Sequence, residues 1–149
     1  MVHLRFEKFL NPKLEEKLPG KGEFVRLFCS VRFKTKDGWD DAVDAIIDTG
    51  APVSLIPFDV WSNAETELLV EHEVYGINPS KECRIPVKVG KIMGVLVDEE
   101  ENQSGEIEML SYLALTTKIP VILGFKDLLT EFKICFDYGE NEAWIEEKK

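Results

Sequence analysis

Between Phe24 and Phe33, Val25, Leu27, Cys29, Val31 and Phe33 alternate with Arg26, Ser30 and Arg32. A period of two puts successive side chains on opposite faces, the signature of a strand buried on one side. The same pattern recurs along most of the chain. Lys36-Asp37-Gly38 supplies a reversal, because Asp-Gly tolerates the positive φ of a tight turn, and Ala42 to Ile47 then reads as the returning strand. Val53 to Pro57 is a further short strand, with a helical turn around Asp59 to Asn63. Leu68 to Tyr75 and Cys83 to Val89 flank the turn residues Gly76-Ile77-Asn78-Pro79-Ser80 and read as one long hairpin. Ile92 to Val97, Ile107 to Thr116 and Ile119 to Leu123 add strands, and Ile134 to Tyr138 closes on Trp144 and Ile145 across Gly139-Glu140-Asn141. Phe125 to Phe132 has the spacing of one short helix. The expected class is all-β with that helix near the C-terminus.

A chain of 149 residues fits one domain with a substantial core. Residues 1–23, with Pro12, Pro19, Gly20 and Gly22 among charges, read as an N-terminal extension: a strand at Val2 to Phe6, a helical turn, then loop. Residues 24–149 read as the single domain. No apolar run approaches a membrane span or a secretory leader, so neither a membrane partner nor export is expected and the setting is read as cytoplasmic. Cys29, Cys83 and Cys135 lack the pairing and the C-x-x-C spacing of disulfide frameworks or zinc sites, and read as reduced packing residues. A net charge of −10 without a basic stripe argues against nucleic acid as a partner. The acidic stretch from Asp98 to Gly105 reads as solvated loop.

The residues that carry chemistry are Asp48, Thr49 and Gly50. An apolar strand ending in Ile46-Ile47 runs directly into Asp-Thr-Gly, which sets a carboxylate within the backbone of a tight turn. Gly50 allows close approach of the main chain, Thr49 brings a hydroxyl able to bond across to a neighbouring segment, and Ala51 leaves room for a ligand. A bare Asp-x-Gly is also ordinary turn chemistry, and the same tripeptide occurs in phosphate-binding turns of two-lobed ATPases. The chain is too short for two such lobes and has no second glycine-rich phosphate turn.

Ile47-Asp48-Thr49-Gly50-Ala51 with Ser54-Leu55-Ile56-Pro57 resembles the active-site turn of retropepsin-like aspartic proteases. Val121-Ile122-Leu123-Gly124 resembles that family's apolar-apolar-Gly motif, and Val74-Tyr75-Gly76-Ile77 with Arg84 to Val89 is similar to its flap hairpin. The tail from Gly124 to Tyr138 is most similar to cytosolic archaeal and bacterial members. The sequence departs from the family at Pro52, where Ser or Asp is common, and at the flap tip, which is not glycine-rich. The resemblance implies a closed barrel, catalysis by Asp48 with Thr49 and Gly50, and a peptide or protein substrate held by Ala51, Gly76, Ile77, Asn78 and Ile122. It also implies that the terminal strands, Val2 to Phe6 and Ala143 to Ile145, interleave at the base of a dimer.

Hydrolysis by carboxylates needs one ionised group as base and one protonated group as acid, and two carboxylates sharing a proton titrate apart. One chain supplies one such motif, so the expected enzyme is a homodimeric aspartic endopeptidase, needing neither metal nor cofactor, with a mildly acidic optimum. The competing expectation is a dimeric peptide-binding module that keeps the cleft and lacks turnover. His3 and His72 are isolated from any serine or cysteine that would make a triad.

Overall fold

The computed structural model describes residues 1–75 and 84–148. The chain is mostly β, with twelve described strands: β1 (Val2–His3), β2 (Arg5–Leu10), β3 (Glu23–Thr35), β4 (Gly38–Trp39), β5 (Val43–Ile47), β6 (Ser54–Ile56), β7 (Thr66–Tyr75), β8 (Arg84–Val97), β9 (Ile107–Ala114), β10 (Val121–Leu123), β11 (Phe132–Asp137) and β12 (Glu142–Glu147). Two short helices, α1 (Pro12–Lys17) and α2 (Phe58–Trp61), interrupt them. No described helix is long and apolar enough to cross a membrane.

The locally encoded hairpins form. β3 pairs antiparallel with β5, Phe28 opposite Ile46 and Val31 opposite Val43, after the reversal at Gly38, whose φ of 127° suits glycine. β7 pairs with β8 from Thr66↔Ile92 to Tyr75↔Arg84, and β11 with β12 around a turn in which Asn141 takes φ 55°. In the larger sheet the order is β2-β3-β5-β10-β6-β9-β8-β7, and β3 also pairs with β8, Val31 opposite Leu96. The pairings from β3 through β5, β10, β6, β9 and β8 therefore return to β3. The core lies within them: Cys29, Val31, Phe33, Ala45, Ile56, Ile92, Leu96, Met109, Leu113 and Leu123 are all buried. Burying side chains of this size is the main stabilisation, at about 1.5–3 kcal/mol each.

The second sheet, β1-β12-β11, joins the same core through Val2, Leu4, Phe132, Ala143 and Ile145. Its terminal strands meet inside one chain, Val2 opposite Ile145 and His3 opposite Trp144, where interleaving between two chains was expected. Residues 1–23 contribute β1, β2 and α1. The expected single strand at Val2 to Phe6 is split at Leu4, whose N–H turns to the carbonyl of Ala143, and β2 then continues to Leu10 along β3.

The expected helix at Phe125 to Phe132 is the clearest correction. Only one 3-10 turn, Leu129–Glu131, forms there. Asp127 takes φ 60°, outside the helical basin, and its carboxylate accepts the N–H of Leu110 at 2.9 Å. Leu128, Leu129 and Phe132 are buried all the same. Their spacing satisfies a tight turn and a strand start as well as it satisfies a helix. The Gly76 to Ser80 turn, with Cys83, lies outside the described residues.

Candidate active site

β5 and β6 are joined by the short segment 48–53, yet they are not neighbours. β10 occupies the slot between them, parallel to β5 (Ala45↔Val121, Ile46↔Ile122, Ile47↔Leu123) and antiparallel to β6 (Ile122↔Leu55). The connection must therefore cross two strand spacings, about 9.5 Å. A two-residue hairpin turn cannot do this: Asp48 to Ala51 closes a tight turn, Ala51 N donating to Asp48 O at 3.1 Å, and the rest of the segment's backbone needs partners from elsewhere.

The chain leaving β10 supplies them. Asp48 N donates to Leu123 O at 3.0 Å, Phe125 N to Ala51 O at 3.0 Å, and Lys126 N to Pro52 O at 2.9 Å. Gly124 N donates to the hydroxyl of Ser54 at 3.0 Å, and Ser54 is completely buried. A Cβ on Gly124 would lie 2.5 Å from Ala51 O and 2.9 Å from Val53 O, so only glycine lets the two segments pack this closely. Leu128 and Leu129 then plug the space below, which makes the Gly124 to Glu131 segment a buttress for the loop.

Side-chain alternation fixes what the loop presents. Ala45 and Ile47 point into the core, so Ile46 and Asp48 lie on the opposite face. Asp48 is half-buried, and its Oδ1 accepts the N–H of Gly50 at 2.8 Å. That bond orients the carboxylate within its own turn and leaves the second oxygen for a ligand or another acid. Thr49 and Gly50 are exposed at the tip, and the hydroxyl of Thr49 has no partner among the described residues. The loop holds one carboxylate and exposes the tip beside it.

The strand register runs an apolar row past this carboxylate. Phe28, Ile46, Ile122, Leu55, Tyr112 and Val89 are successive cross-strand partners, each half-buried. His72 on β7 lies over Tyr112 with ring centroids 5.7 Å apart. The row is a wall suited to apolar side chains of an extended ligand.

The sequence-predicted residues Asp48, Thr49, Gly50, Ala51 and Ile122 are brought together around the loop, whereas Gly76, Ile77 and Asn78 lie outside the described residues. Sequence reasoning missed the role of Ser54, visible locally only as a polar residue opening an apolar strand. It also missed Ile46, Leu55 and Tyr112 as a row, since that needs the register of β10. Trp61 is buried, with its indole N–H on the carbonyl of Ala114 at 2.7 Å. Cys29 is fully buried, and burial pushes its thiol up to about 12, which removes it as a nucleophile. Among the described residues no group of His, Cys, Asp and Glu side chains is arranged to hold a metal ion. No protein-family model matches this chain, and no curated protein matches it.

Proposed function

We propose that the chain is one half of a homodimeric aspartic endopeptidase, a retropepsin-like closed barrel in which two Asp48 carboxylates meet across a two-fold axis. The observation that carries this reading is the loop itself. A single half-exposed carboxylate is held by the N–H of Gly50 on a segment braced by four hydrogen bonds from the Leu123–Lys126 stretch, and its tip is left open. The return of the strand pairings to β3 supports the barrel, and the placement of β10 between β5 and β6 supports the catalytic role of the turn.

In such a dimer one Asp48 is ionised and the other protonated, because adjacent like charges cannot both form. The ionised carboxylate takes a proton from a water, which attacks the scissile carbonyl carbon. The protonated carboxyl donates to the carbonyl oxygen, giving a tetrahedral diol. Breaking the C–N bond then returns a proton to the amine and restores the dyad. The Gly50 N–H holds each carboxylate against rotation, so no reorganisation is needed as charge moves. The apolar row from Ile46 to Tyr112 seats apolar side chains of the peptide, and a cytoplasmic setting suits the free thiols of Cys29 and Cys135.

The test is digestion of a mixed peptide library by the purified protein and by Asp48→Asn, from about pH 4 to 7.5. Cleavage by wild type alone, strongest on the acidic side and blocked by a statine-type mimic, is the expected result. Equal cleavage by Asp48→Asn would sink the mechanism. A wild-type dimer that retains peptides uncut would instead make the protein a peptide-binding module.

A further inference from the structure

β3 is much longer than the strand it supports. It pairs with β5 only from Val31 back to Phe28, opposite Ile46, and then continues through Leu27, Arg26, Val25 and Phe24 to Glu23. β5 runs the other way, so this continuation extends toward and beyond the end of β5 that carries Asp48. Phe24 lies four residues past the level of Ile46 and Asp48 only two, so at about 3.3 Å per residue the strand overshoots the carboxylate by roughly 7 Å. β2 accompanies it, Phe9 opposite Phe24 and Leu10 opposite Glu23, and α1 caps the projection.

This arm is ordered and internally braced. Asn11 caps α1 by accepting the N–H of Leu14, Pro12 opens the helix, and the Glu15 carboxylate accepts the N–H groups of Gly20 and Gly22. Yet the arm leaves apolar surface in water: Phe9, Leu10, Leu18, Phe24 and Val25 are all exposed. Phe9 and Phe24 stack at 5.6 Å with the Arg26 guanidinium 4.2 Å from the Phe9 ring, on the face that also carries Phe28, Ile46 and Asp48. Charge sets the arm apart as well. Residues 5–26 hold six Lys or Arg against four Glu in a chain of net −10.

The geometry points to a second copy of this chain as the occupant: the β2–α1–β3 arm reaches past the Asp48 loop and lays its Phe9–Phe24 face on the acidic body of the partner. The inference rests on the proposed dimer. A partner whose Asp48 approaches the loop tip must come up to the end of β5, and whatever overshoots that end lies alongside it. A rigid apolar face with a basic surround fits an acidic copy, and preorganisation of the arm lowers the ordering cost of docking. The two arms related by the axis would clasp the dimer from both sides.

Sedimentation velocity of wild type and of the double variant Phe9→Ser/Phe24→Ser tests it, with far-UV circular dichroism as the folding check. Wild type is expected to dimerise and the folded double variant to do so at least tenfold more weakly. A folded double variant that dimerises as tightly as wild type overturns the arm and leaves the dimer standing. Wild type monomeric at every concentration removes the proposed dimer and the arm together. Should the variant fail to fold, carbodiimide cross-linking of mixed light and ¹⁵N-labelled wild type decides. Lys13, Lys17 or Lys21 joined to carboxylates in mixed-isotope peptides supports the clasp, and arm lysines joined only within one isotope overturns it.

Discussion

The backbone N–H of Gly124 donates to the buried hydroxyl of Ser54 at 3.0 Å across 70 positions of sequence. This bond ties the end of β10 to the start of β6, and so fixes the 48–53 loop that leads from β5 into β6 and carries Asp48. It is also the sole described side-chain partner in that brace, the others being main-chain carbonyls.

Removing the hydroxyl leaves a buried N–H without an acceptor. Ser54→Ala is therefore expected to lower stability by about 1–3 kcal/mol, the desolvation cost of one orphaned donor. Gly124→Ala forces a methyl group against Ala51 O, which cannot rotate away, and belongs at the upper end of the roughly 1–3 kcal/mol of overpacking. Urea midpoints at neutral pH check both. An unchanged midpoint for Gly124→Ala would show that the two segments can separate at little cost.

Asp127 gives a second stability prediction. Its φ of 60° disfavours side chains other than Asn, Asp and Gly, and its carboxylate satisfies the N–H of Leu110. Asp127→Ala loses the acceptor and keeps the strained backbone, so a cost of about 2 kcal/mol is expected. Asp127→Asn keeps an acceptor oxygen and tolerates the conformation, and is expected to recover most of that loss. Equal destabilisation by the two would mean that the negative charge, not the acceptor, matters.

Asp127 also shows where the sequence was and was not legible. The hairpins from β3 to β5, β7 to β8 and β11 to β12 were readable because alternation and turn residues act between near neighbours in the chain. The spacing of Leu128, Leu129 and Phe132 was misread as helical because periodicity reports burial, and a turn followed by a strand can bury the same residues. Within the candidate site, Asp48 to Ala51 was legible as one contiguous motif and Ile122 as part of another. The row through Ile46, Leu55 and Tyr112 depends on β10 entering between β5 and β6, a pairing that no local pattern encodes. The packing of Phe6 on Phe136 and Tyr138, which seats the N-terminal strands on β11, was hidden for the same reason.

A pH prediction comes from Asp98, which anchors β1. Burial alone would raise its pKa, but N–H groups of His3, Glu100 and Asn102 and the Asn102 side-chain amide donate to it at 2.8–3.0 Å and together hold the carboxyl below its ordinary value. A folded pKa below the unfolded one gives stability that is present above the unfolded value, about 3.9, and lost as pH falls through the folded one. Asp98→Ala is thus expected to melt earlier in urea than wild type by a constant margin from pH 6 to about 4, and by a shrinking margin below that. A margin that widens on acidification would contradict the assignment. Hydrogen exchange at Val2 and His3 should rise in the variant, since the His3 N–H loses its acceptor.

Ile122 connects the fold to specificity under the proposed activity. It lies between Ile46 and Leu55 on the face that carries Asp48, and it is half-buried, so part of its side chain is open to a ligand. Ile122→Val removes one methylene, which costs about 0.5–1.5 kcal/mol of stability at most. In a binding wall the same methylene is worth about 1 kcal/mol, roughly fivefold in kcat/KM, but only for a substrate that reaches it. Peptides with a bulky aliphatic side chain beside the scissile bond should therefore be cut about fivefold more slowly by the variant, while peptides with alanine there are cut at nearly the wild-type rate. Matched peptide pairs assayed on both proteins give the comparison directly. A loss of equal size on both peptides would assign Ile122 to the support of the Asp48 loop and leave the recognition wall to its neighbours in the row.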